Sequence, residues 1–471
     1  MARPNILLIS SDQHNAEILG CAGNPVAKTP YIDALAADGA AFSQAFTPLP
    51  ICTPARTSIF TGLYCKHHSV YHNINMRYQP GKPCLPPEHV AFPERLAEAG
   101  YDTSFFGKLH TRHEGGRNFG LATCRHVEGK CHFVPSPDDQ DEYRRALAAR
   151  GYPPDIWKVW DNDPSYAENG FVTSPLPEKD YIDTFVADIA LEHLDAVTQP
   201  FFSWVSFCTP HNPWDPPKPY DTMFDPATIP MPHRKQGELE TKPPQWVDCV
   251  AKTIASLPYM SMNPDLPGGV DNAYARFPED KTRRMLAAYY GQIALLDKQV
   301  GRLLGALKAR RLYDNTLILF LSDHGDYCGN NWAFYKYPGL YDSLIRVPLV
   351  VKWPGEMPKG RAVGELVSLI DIAPTILDAA GIERDEEADG VSLRPLLEGG
   401  PAPWRQELFV ETGATTAVIT PEWKLVRWRD GTEELYDRRS DPHDLVNLDG
   451  NPDLADTQAD LAARVAMWKA T

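Results

Sequence analysis

The stretch Asn5-Ile-Leu-Leu-Ile-Ser10 is an uninterrupted apolar run near the start of the chain. Such a run is typical of a strand in a parallel sheet, because helices cover both faces of that kind of sheet. Three more runs of this type occur at residues 101–106, 201–207 and 316–321. The sequence therefore predicts an α/β fold with a large, mostly parallel central sheet flanked by helices.

Each of these predicted strands leads directly into polar residues. Because ligands bind at the carboxyl ends of the strands in an open α/β sheet, we expect these residues to meet at one edge. They are Asp12 and Gln13, Lys108 and His110, His211, and Asp323 and His324. Two carboxylates at one edge repel each other unless a cation compensates them. A divalent metal held by Asp12 and Asp323, with His324 as a third ligand, is the simplest interpretation.

Other patterns complete the large domain. Apolar residues recur at helical spacing between residues 281 and 311, which predicts a long amphipathic helix packed on the sheet. Residues 29–39 carry the start and stop signals of a short helix. Residues 347–352 are predicted to form a further strand, and residues 371–380 are predicted to form a helix.

A charged stretch rich in helix breakers, residues 383–403, indicates a domain boundary. We therefore predict a catalytic domain over residues 1–382, a linker over 383–403 and a C-terminal subdomain over 404–471. That subdomain should be α+β, with a small antiparallel sheet and a terminal helix from about Asp453. Its strands are predicted around residues 407–411, 417–420, 424–428 and 433–436.

Two long stretches, about 120–178 and 213–278, lack clear periodicity and are dense in proline, aspartate and aromatic residues. Loops of this length are usually lids, binding loops or subunit contacts, so we expect a homo-oligomer, a dimer or larger. Four tryptophans in them either form an aromatic wall for the substrate or pack against the body or another subunit. These are Trp157, Trp160, Trp214 and Trp246.

The composition excludes some functions. A formal net charge of −16 over 471 residues argues against a nucleic-acid surface, which needs clustered Lys and Arg. No segment approaches the length of a membrane span, and the first apolar run is too short for a signal-peptide core, so we expect a cytoplasmic protein. The nine scattered cysteines include no Cys-x-x-Cys pair, which favours reduced thiols.

The stretch Cys52-Thr53-Pro54-Ala55-Arg56 up to Gly62 predicts a turn followed by a short helix. Thr53 is expected to cap this helix, Pro54 to take its first position, and Gly62 to end it in a left-handed conformation. Cys52 then lies at a helix N-terminus, where free N–H groups and the helix dipole favour an anion. Arg56 adds a planar, permanently charged fork for the anion's oxygens.

Cys-x-Pro-x-Arg before a short helix and Thr-Gly resembles the signature of the sulfatase family in the alkaline phosphatase superfamily. The resemblance extends over the chain, to Gly107-Lys108-Leu109-His110, Pro210-His211, Asp323-His324-Gly325 and the stretch 434–448. Three positions depart from the usual pattern. Ala55 replaces a serine, Gln13 replaces the second aspartate of many members, and Asn330-Asn331-Trp332 stands where many relatives place a histidine. Branches similar to choline sulfatase and phosphonate monoester hydrolase carry Asp-Gln and Asp-His as here.

The resemblance implies a set of site residues. Cys52 would be converted to formylglycine by a formylglycine-generating enzyme, and its hydrate would be the nucleophile. The implied catalytic residues are Cys52, Arg56, Lys108, His110, His211 and Lys336, and Asn73 and Gln13 would bind the substrate. The implied metal ligands are Asp12, Asp323, His324 and the converted Cys52. Oxygen ligands suit Ca²⁺, and the added imidazole also suits Mn²⁺.

The implied reaction is hydrolysis of a small aryl or alkyl sulfate monoester. Arg56, Lys108 and Lys336 would neutralise the sulfuryl oxygens, His211 with Lys336 would protonate the leaving oxygen, and His110 would take the proton of the second hydroxyl.

Two alternatives stay open. A phosphonate monoester hydrolase or phosphodiesterase of the same fold would use the same anion cradle. A non-catalytic anion-binding protein would keep Cys52 as a thiol.

Overall fold

The structure, a computed structural model, describes residues 3–73, 85–111, 118–128, 142–156, 164–253, 265–355, 357–399 and 403–470. Trp157, Trp160, Cys84 and Cys131 lie outside these ranges. The strands are β1 (Asn5–Asp12), β2 (Ala40–Phe42), β3 (Ala45–Phe46), β4 (Asp102–Gly107), β5 (Thr123–His126), β6 (Phe201–Pro210), β7 (Thr316–Ser322), β8 (Leu349–Lys352), β9 (Arg361–Val363), β10 (Val367–Ser368), β11 (Leu408–Glu411), β12 (Thr415–Ile419), β13 (Trp423–Trp428) and β14 (Glu433–Asp437).

The α-helices of the described residues follow the same order along the chain. They are α1 (Pro30–Asp38), α2 (Cys52–Thr61), α3 (Cys65–His68), α4 (Phe92–Glu98), α5 (Glu142–Ala149), α6 (Pro164–Asn169), α7 (Ile182–Ala196), α8 (Pro244–Lys252), α9 (Val270–Ala275), α10 (Glu279–Ala309), α11 (Asp342–Ile345), α12 (Ile372–Ala380), α13 (Arg394–Glu398) and α14 (Ala455–Ala470).

The central sheet of the described chain has eight strands in the order β5-β4-β6-β1-β7-β8-β2-β9. Neighbours from β5 to β7 pair in parallel, and β9 pairs in parallel with β2. Only β8 is antiparallel to the strands on its two sides. The expectation of a mostly parallel sheet in an α/β fold is therefore confirmed.

The strand β1 lies in the middle of this sheet and is buried along its whole length. Leu7 and Ile9 pack on one face with α7 and α10, whereas Ile6 and Leu8 pack on the other face with α2, α4 and α12. Each such side chain contributes about 1.5–3 kcal/mol by leaving water. The uninterrupted apolar run is thus explained by helices on both faces of the sheet.

The long helix α10 extends over 31 residues, close to the predicted range. The predicted helices at residues 29–39 and 371–380 correspond to α1 and α12, and the strand at 347–352 corresponds to β8. These elements are predictable because their apolar pattern and their terminal residues indicate the same bounds.

The C-terminal strands β11 to β14 form a four-stranded antiparallel sheet, as expected. One face packs against α14 through Leu461 and Val465. The other face packs against the large domain around Tyr341. The helix α13 lies within the predicted linker, with Leu396 and Leu397 buried against the core of the central sheet. The three-part division itself stays a prediction.

The two stretches predicted to be irregular contain regular structure where they are described. The first holds β5, α5 and α6, and the second holds α8 and α9. The high proline content hides these short helices in the sequence pattern. Proline is nevertheless compatible with them, because it occupies the first position of α6 and of α8. Trp214 and Trp246 are fully buried among other aromatic rings, so these two pack against the body and do not form a wall.

The seven cysteines within the described residues are all free thiols. Among the described residues, no helix has both the length and the apolar character needed to cross a bilayer.

Candidate active centre

The helix α2 begins at Cys52, two residues earlier than predicted. Ile51 precedes it in an extended conformation, so Thr53 is not the capping residue and Pro54 lies in the third helical position. Proline is tolerated there because the first N–H groups of a helix have no partner inside it. Gly62 ends the helix with φ of 74°, as expected.

Two other segments of the chain hold the first turn of α2. Asn73 Oδ1 accepts a hydrogen bond from Thr53 N at 3.0 Å, so it satisfies one of the free N–H groups from outside the helix. Thr53 Oγ1 donates to the carbonyl of His110 at 2.7 Å. Both Asn73 and His110 therefore lie next to the helix terminus that presents Cys52.

Cys52 is buried, and its Sγ is surrounded by polar groups from separate segments. Lys336 Nζ lies 3.1 Å away, His324 Nε2 3.3 Å, Asp12 Oδ1 3.7 Å and Lys108 Nζ 3.8 Å. Burial raises the pKa of this thiol, but Lys108, Lys336 and His324 stabilise the thiolate and hold the pKa well below its ordinary value. The surroundings of position 52 thus favour negative charge.

Arg56 and Lys108 balance the two carboxylates at the same edge. Arg56 Nε lies 3.0 Å from Asp323 Oδ2, and its Nη2 lies 3.5 Å from Asp12 Oδ2. Lys108 Nζ contacts Asp12 directly. Burial raises the pKa of Asp12, as does Cys52, yet Lys108, His211 and Arg56 outweigh them and lower it to about 2. Asp12 is therefore a carboxylate despite its complete burial.

The backbone brings Lys108 close to β6. Gly107 has a φ of 101°, and a Cβ on it would lie 1.9 Å from the carbonyl oxygen of Ser206. Only glycine permits this approach. The following residue, Lys108, donates its N–H to that oxygen at 2.9 Å, and Ser206 Oγ accepts from Arg56 at 2.7 Å.

Four ligand-type side chains gather at the ends of β1, α2 and β7. The ligand atoms of Asp12, Cys52, Asp323 and His324 all lie within 4.8 Å of one another. His324 Nδ1 lies 2.9 Å from the carbonyl oxygen of Gly325, which fixes the proton on Nδ1 and leaves the lone pair on Nε2. These four are the residues that the sequence analysis nominates as metal ligands.

Gln13 follows Asp12 with an unusual positive φ of 63°. Its N–H donates to Asp323 Oδ1 at 3.1 Å, and its Nε2 donates to Asp326 Oδ2 at 2.6 Å. Its Oε1 is buried and has no hydrogen-bond partner among the described residues. Asp326 therefore orients the amide and leaves a neutral oxygen acceptor unused beside the carboxylates.

His211 and Lys336 form a pair on the open side of the centre. His211 Nδ1 lies 2.6 Å from the carbonyl oxygen of Asn212, so Nδ1 carries a proton, and Nε2 faces Lys336 Nζ at 3.4 Å. Burial, Lys108 and Lys336 lower the pKa of His211. A neutral imidazole therefore accepts a hydrogen bond from the ammonium group of Lys336.

The segment that carries Lys336 is held by the C-terminal sheet. Thr415 Oγ1 donates to the carbonyl oxygen of Pro338 at 2.6 Å, and Lys424 Nζ donates to that of Leu340 at 3.1 Å. The lysine next to Cys52 is thus supported by residues from β12 and β13.

The sequence analysis did not anticipate Glu128, Asp326 or Ser206. Glu128 lies two residues after β5, with its Oε2 3.1 Å from His110 Nδ1. Its contact with His110 follows only from the pairing of β4 with β5, in which Gly107 is opposite His126. Asp326 could have been suspected, since it directly follows Asp323-His324-Gly325.

Asn330 and Asn331 have structural partners. Asn330 Oδ1 accepts from His233 N at 2.6 Å, and Asn331 Nδ2 donates to Glu238 Oε1 at 2.9 Å and to the carbonyl oxygen of His443 at 3.1 Å. Asn331 therefore connects the segment after β7 to the C-terminal region, whereas Asn330 binds the stretch around His233.

Comparisons with known proteins identify the family of the chain. Residues 4–382 match the family model described as Sulfatase, and residues 330–471 match the model described as N-sulphoglucosamine sulphohydrolase, C-terminal. An arylsulfatase of Clostridium perfringens is 30% identical, with 95% of this chain and 90% of that protein covered. A choline-sulfatase of Rhizobium meliloti is 29% identical, with 99% and 87% covered.

A solved structure, the phosphonate monoester hydrolase of Agrobacterium radiobacter, superposes with a TM-score of 0.83 at 28% identity and covers 99% of this chain and 96% of that one. The chain therefore belongs to the sulfatase family of the alkaline phosphatase superfamily and is a sulfuric ester hydrolase.

Proposed function

We propose that the chain is a metal- and formylglycine-dependent sulfatase that hydrolyses a small aryl or alkyl sulfate monoester to an alcohol and sulfate. The observation that carries this proposal is the ring of groups around Cys52. Lys336, His324, Asp12 and Lys108 come from four segments and lie 3.1–3.8 Å from its Sγ. A non-catalytic anion-binding protein would not need a carboxylate and an imidazole in contact with the same atom.

The residues present fit a divalent cation. Two carboxylates, Asp12 and Asp323, and Nε2 of His324 can supply three ligands, and the buried Oε1 of Gln13, without a partner among the described residues, is a fourth suitable oxygen. We therefore assign Gln13 to the metal side of the centre in preference to the substrate side. This donor set suits Mn²⁺ or Ca²⁺.

Formylglycine at position 52 would supply a hydroxyl nucleophile, and the bound cation would lower the pKa of that hydroxyl. The chain's own charges prepare the centre for an anion. Arg56, Lys108 and Lys336 carry three positive charges against the two negative charges of Asp12 and Asp323. A sulfate ester therefore enters a centre with an excess of positive charge, which stabilises the charge that builds on the sulfuryl oxygens.

Lys336 is the proton donor for the leaving alcohol oxygen. The lowered pKa of His211 makes it neutral, so the proton between the two side chains belongs to Lys336 Nζ. His211 orients the ammonium group through Nε2. This assigns His211 a supporting part and refines the sequence-based expectation that it donates the proton itself.

The phosphonate monoester hydrolase alternative has one specific observation in its favour. The solved phosphonate monoester hydrolase shares the fold over nearly the whole chain, with a TM-score of 0.83. An anion cradle of this type also accepts a tetrahedral phosphonate. We rank it second because the curated relatives at similar identity include an arylsulfatase and a choline-sulfatase.

Two measurements test the proposal. Mass spectrometry of the peptide that carries Cys52, after co-expression with a formylglycine-generating enzyme, should show the aldehyde. Turnover of nitrophenyl sulfate should exceed turnover of a phenyl phosphonate ester under the same conditions. An intact thiol would contradict the formylglycine mechanism, and a strong preference for the phosphonate would favour the alternative.

The cytoplasmic location and the homo-oligomer stay predictions. Cell fractionation and the mass of the particle in solution test them.

A further inference from the structure

Glu128 holds His110 by two contacts. Its Oε1 accepts the backbone N–H of His110 at 3.3 Å, and its Oε2 lies 3.1 Å from the ring Nδ1. Both side chains are largely enclosed, with 6% of His110 and 12% of Glu128 exposed. One carboxylate therefore fixes the main chain and the ring of the same residue.

The chemistry of the two partners determines where the histidine proton lies. An ionised carboxylate only accepts hydrogen bonds, so His110 Nδ1 must carry the proton that joins the two groups. Burial raises the pKa of Glu128, but His110 and Lys108 lower it overall to about 2, so this carboxyl group is ionised. When the ring is neutral, its lone pair is therefore on Nε2.

His110 also has an unusual backbone conformation, with a φ of 47°. A non-glycine residue remains in this region only when its surroundings hold it there. Glu128 binds its N–H, and Thr53 Oγ1 binds its carbonyl oxygen at 2.7 Å. Since Thr53 follows Cys52 directly, the backbone of His110 is fixed to the residue next to position 52.

We propose that Glu128 is a positioning residue that selects the Nδ1–H tautomer of His110 and thereby makes Nε2 the base of the second half of the reaction. The role of the base rests on the proposed function. In that step Nε2 would take the proton of the free hydroxyl on the sulfated formylglycine hydrate while the aldehyde C=O bond forms, the C–O bond to sulfate breaks and sulfate leaves. The ring would become an imidazolium, and the Glu128 carboxylate would balance its charge. The imidazolium afterwards returns the proton to water.

The tautomer can be measured without turnover. In protein labelled with ¹⁵N-histidine, the His110 ring signals are assigned by their loss in His110→Asn. The wild type should show a protonated Nδ1 and an unprotonated Nε2. In Glu128→Gln the amide can donate to Nδ1, so the Nε2–H tautomer should increase. A wild-type ring protonated only at Nε2, or no change in Glu128→Gln, would overturn the proposal.

Kinetics provide the second arm. Glu128→Gln should lower kcat for nitrophenyl sulfate by about 10²–10⁴-fold, the usual contribution of a general base. Glu128→Asp keeps the charge and should recover part of this loss. The matched control is Glu192→Gln, which removes an exposed carboxylate paired with Arg125 and should leave kcat unchanged. A wild-type kcat in Glu128→Gln would overturn the proposal.

The tautomer measurement and the kinetics separate the role of Glu128 from the proposed function of the protein. If the wild type fails to hydrolyse any sulfate ester, the proposed function fails, whereas the tautomer measurement still decides whether Glu128 controls His110. Urea unfolding of each variant shows whether it is folded. If Glu128→Gln does not fold, the His110 spectrum of Glu128→Asp is measured instead. Its shorter side chain should weaken the Nδ1–H signature, and an unchanged His110 spectrum would overturn the proposal.

Discussion

Replacing Arg56 by methionine tests whether the active centre is balanced by charge. Methionine fills a similar volume but cannot interact with the carboxylates. The guanidinium lies 3.0 Å from Asp323 and 3.5 Å from Asp12, and all three side chains are at most 1% exposed. In the described ion pairs, the substitution therefore leaves Asp12 with Lys108 and leaves Asp323 with His324, whose Nε2 is 3.9 Å away.

The size of the effect follows from these distances. At an effective dielectric constant of about 20, the attraction of Arg56 for each carboxylate is about 5 kcal/mol. Removing the guanidinium from water offsets several kcal/mol of this attraction. The net loss in the free energy of unfolding should be about 3–5 kcal/mol, as for other buried ion pairs that lose one partner.

Urea unfolding in the presence of a chelator measures this loss. The control is Arg439→Met, which removes a surface pair with Glu422 and should change little, because solvent screens it. Adding Mn²⁺ or Ca²⁺ should raise the unfolding midpoint more in Arg56→Met than in the wild type, because the cation then binds a more negative centre. Equal midpoints for the variant and the wild type without metal would refute the reasoning.

Four further changes test other parts of the centre. Lys336→Met should lower kcat by about 10²–10⁴-fold for an alkyl sulfate but much less for nitrophenyl sulfate, since nitrophenolate leaves without a proton. Gln13→Glu should destabilise the protein, because its carboxylate would face Asp326, and adding Asp326→Asn should restore the urea midpoint. Asn73→Ala should cost about 1 kcal/mol of stability through the lost helix cap. The pKa of Asp12 is lowered from 3.8 to about 2, so its stabilisation is complete above about pH 5 and is lost as the pH falls towards 2. The stability difference between the wild type and Asp12→Asn, measured without metal, should therefore shrink over that interval.

Contrary results are defined for Lys336→Met, Gln13→Glu and Asp12→Asn. Equal losses with both leaving groups would remove Lys336 as the proton donor. A double variant no more stable than Gln13→Glu would show that Asp326 is not the source of the strain. A stability difference for Asp12→Asn that does not change between pH 5 and 2 would contradict the lowered pKa.

The parts of the fold that the sequence predicts are those fixed by local pattern. The apolar run of β1 and the spacing in α10 each specify an element without reference to distant residues. The start of α2 was misplaced because Thr53 and Pro54 are both favourable at a helix start, and only the extended conformation of Ile51 distinguishes the two registers.

The candidate site divides in the same way. Asp12 and Asp323 were predictable because strand ends meet at one edge of the sheet. Glu128 was not, because its contact with His110 depends on the pairing of β4 with β5 across 18 residues of chain. The neutral state of His211 also depends on contacts, since burial and two lysines from other segments produce it.

The support of Lys336 by Thr415 and Lys424 has a consequence for how this enzyme can be divided or recombined. A hybrid that joined residues 1–382 of this chain to the C-terminal region of a relative would keep Asp12, Lys108, His324 and Lys336, the described residues around the Cys52 thiol. It would nevertheless replace the two side chains that hold the backbone at Pro338 and Leu340, in the segment that carries Lys336. The strands β12 and β13 and the segment 336–340 should therefore be exchanged as one unit.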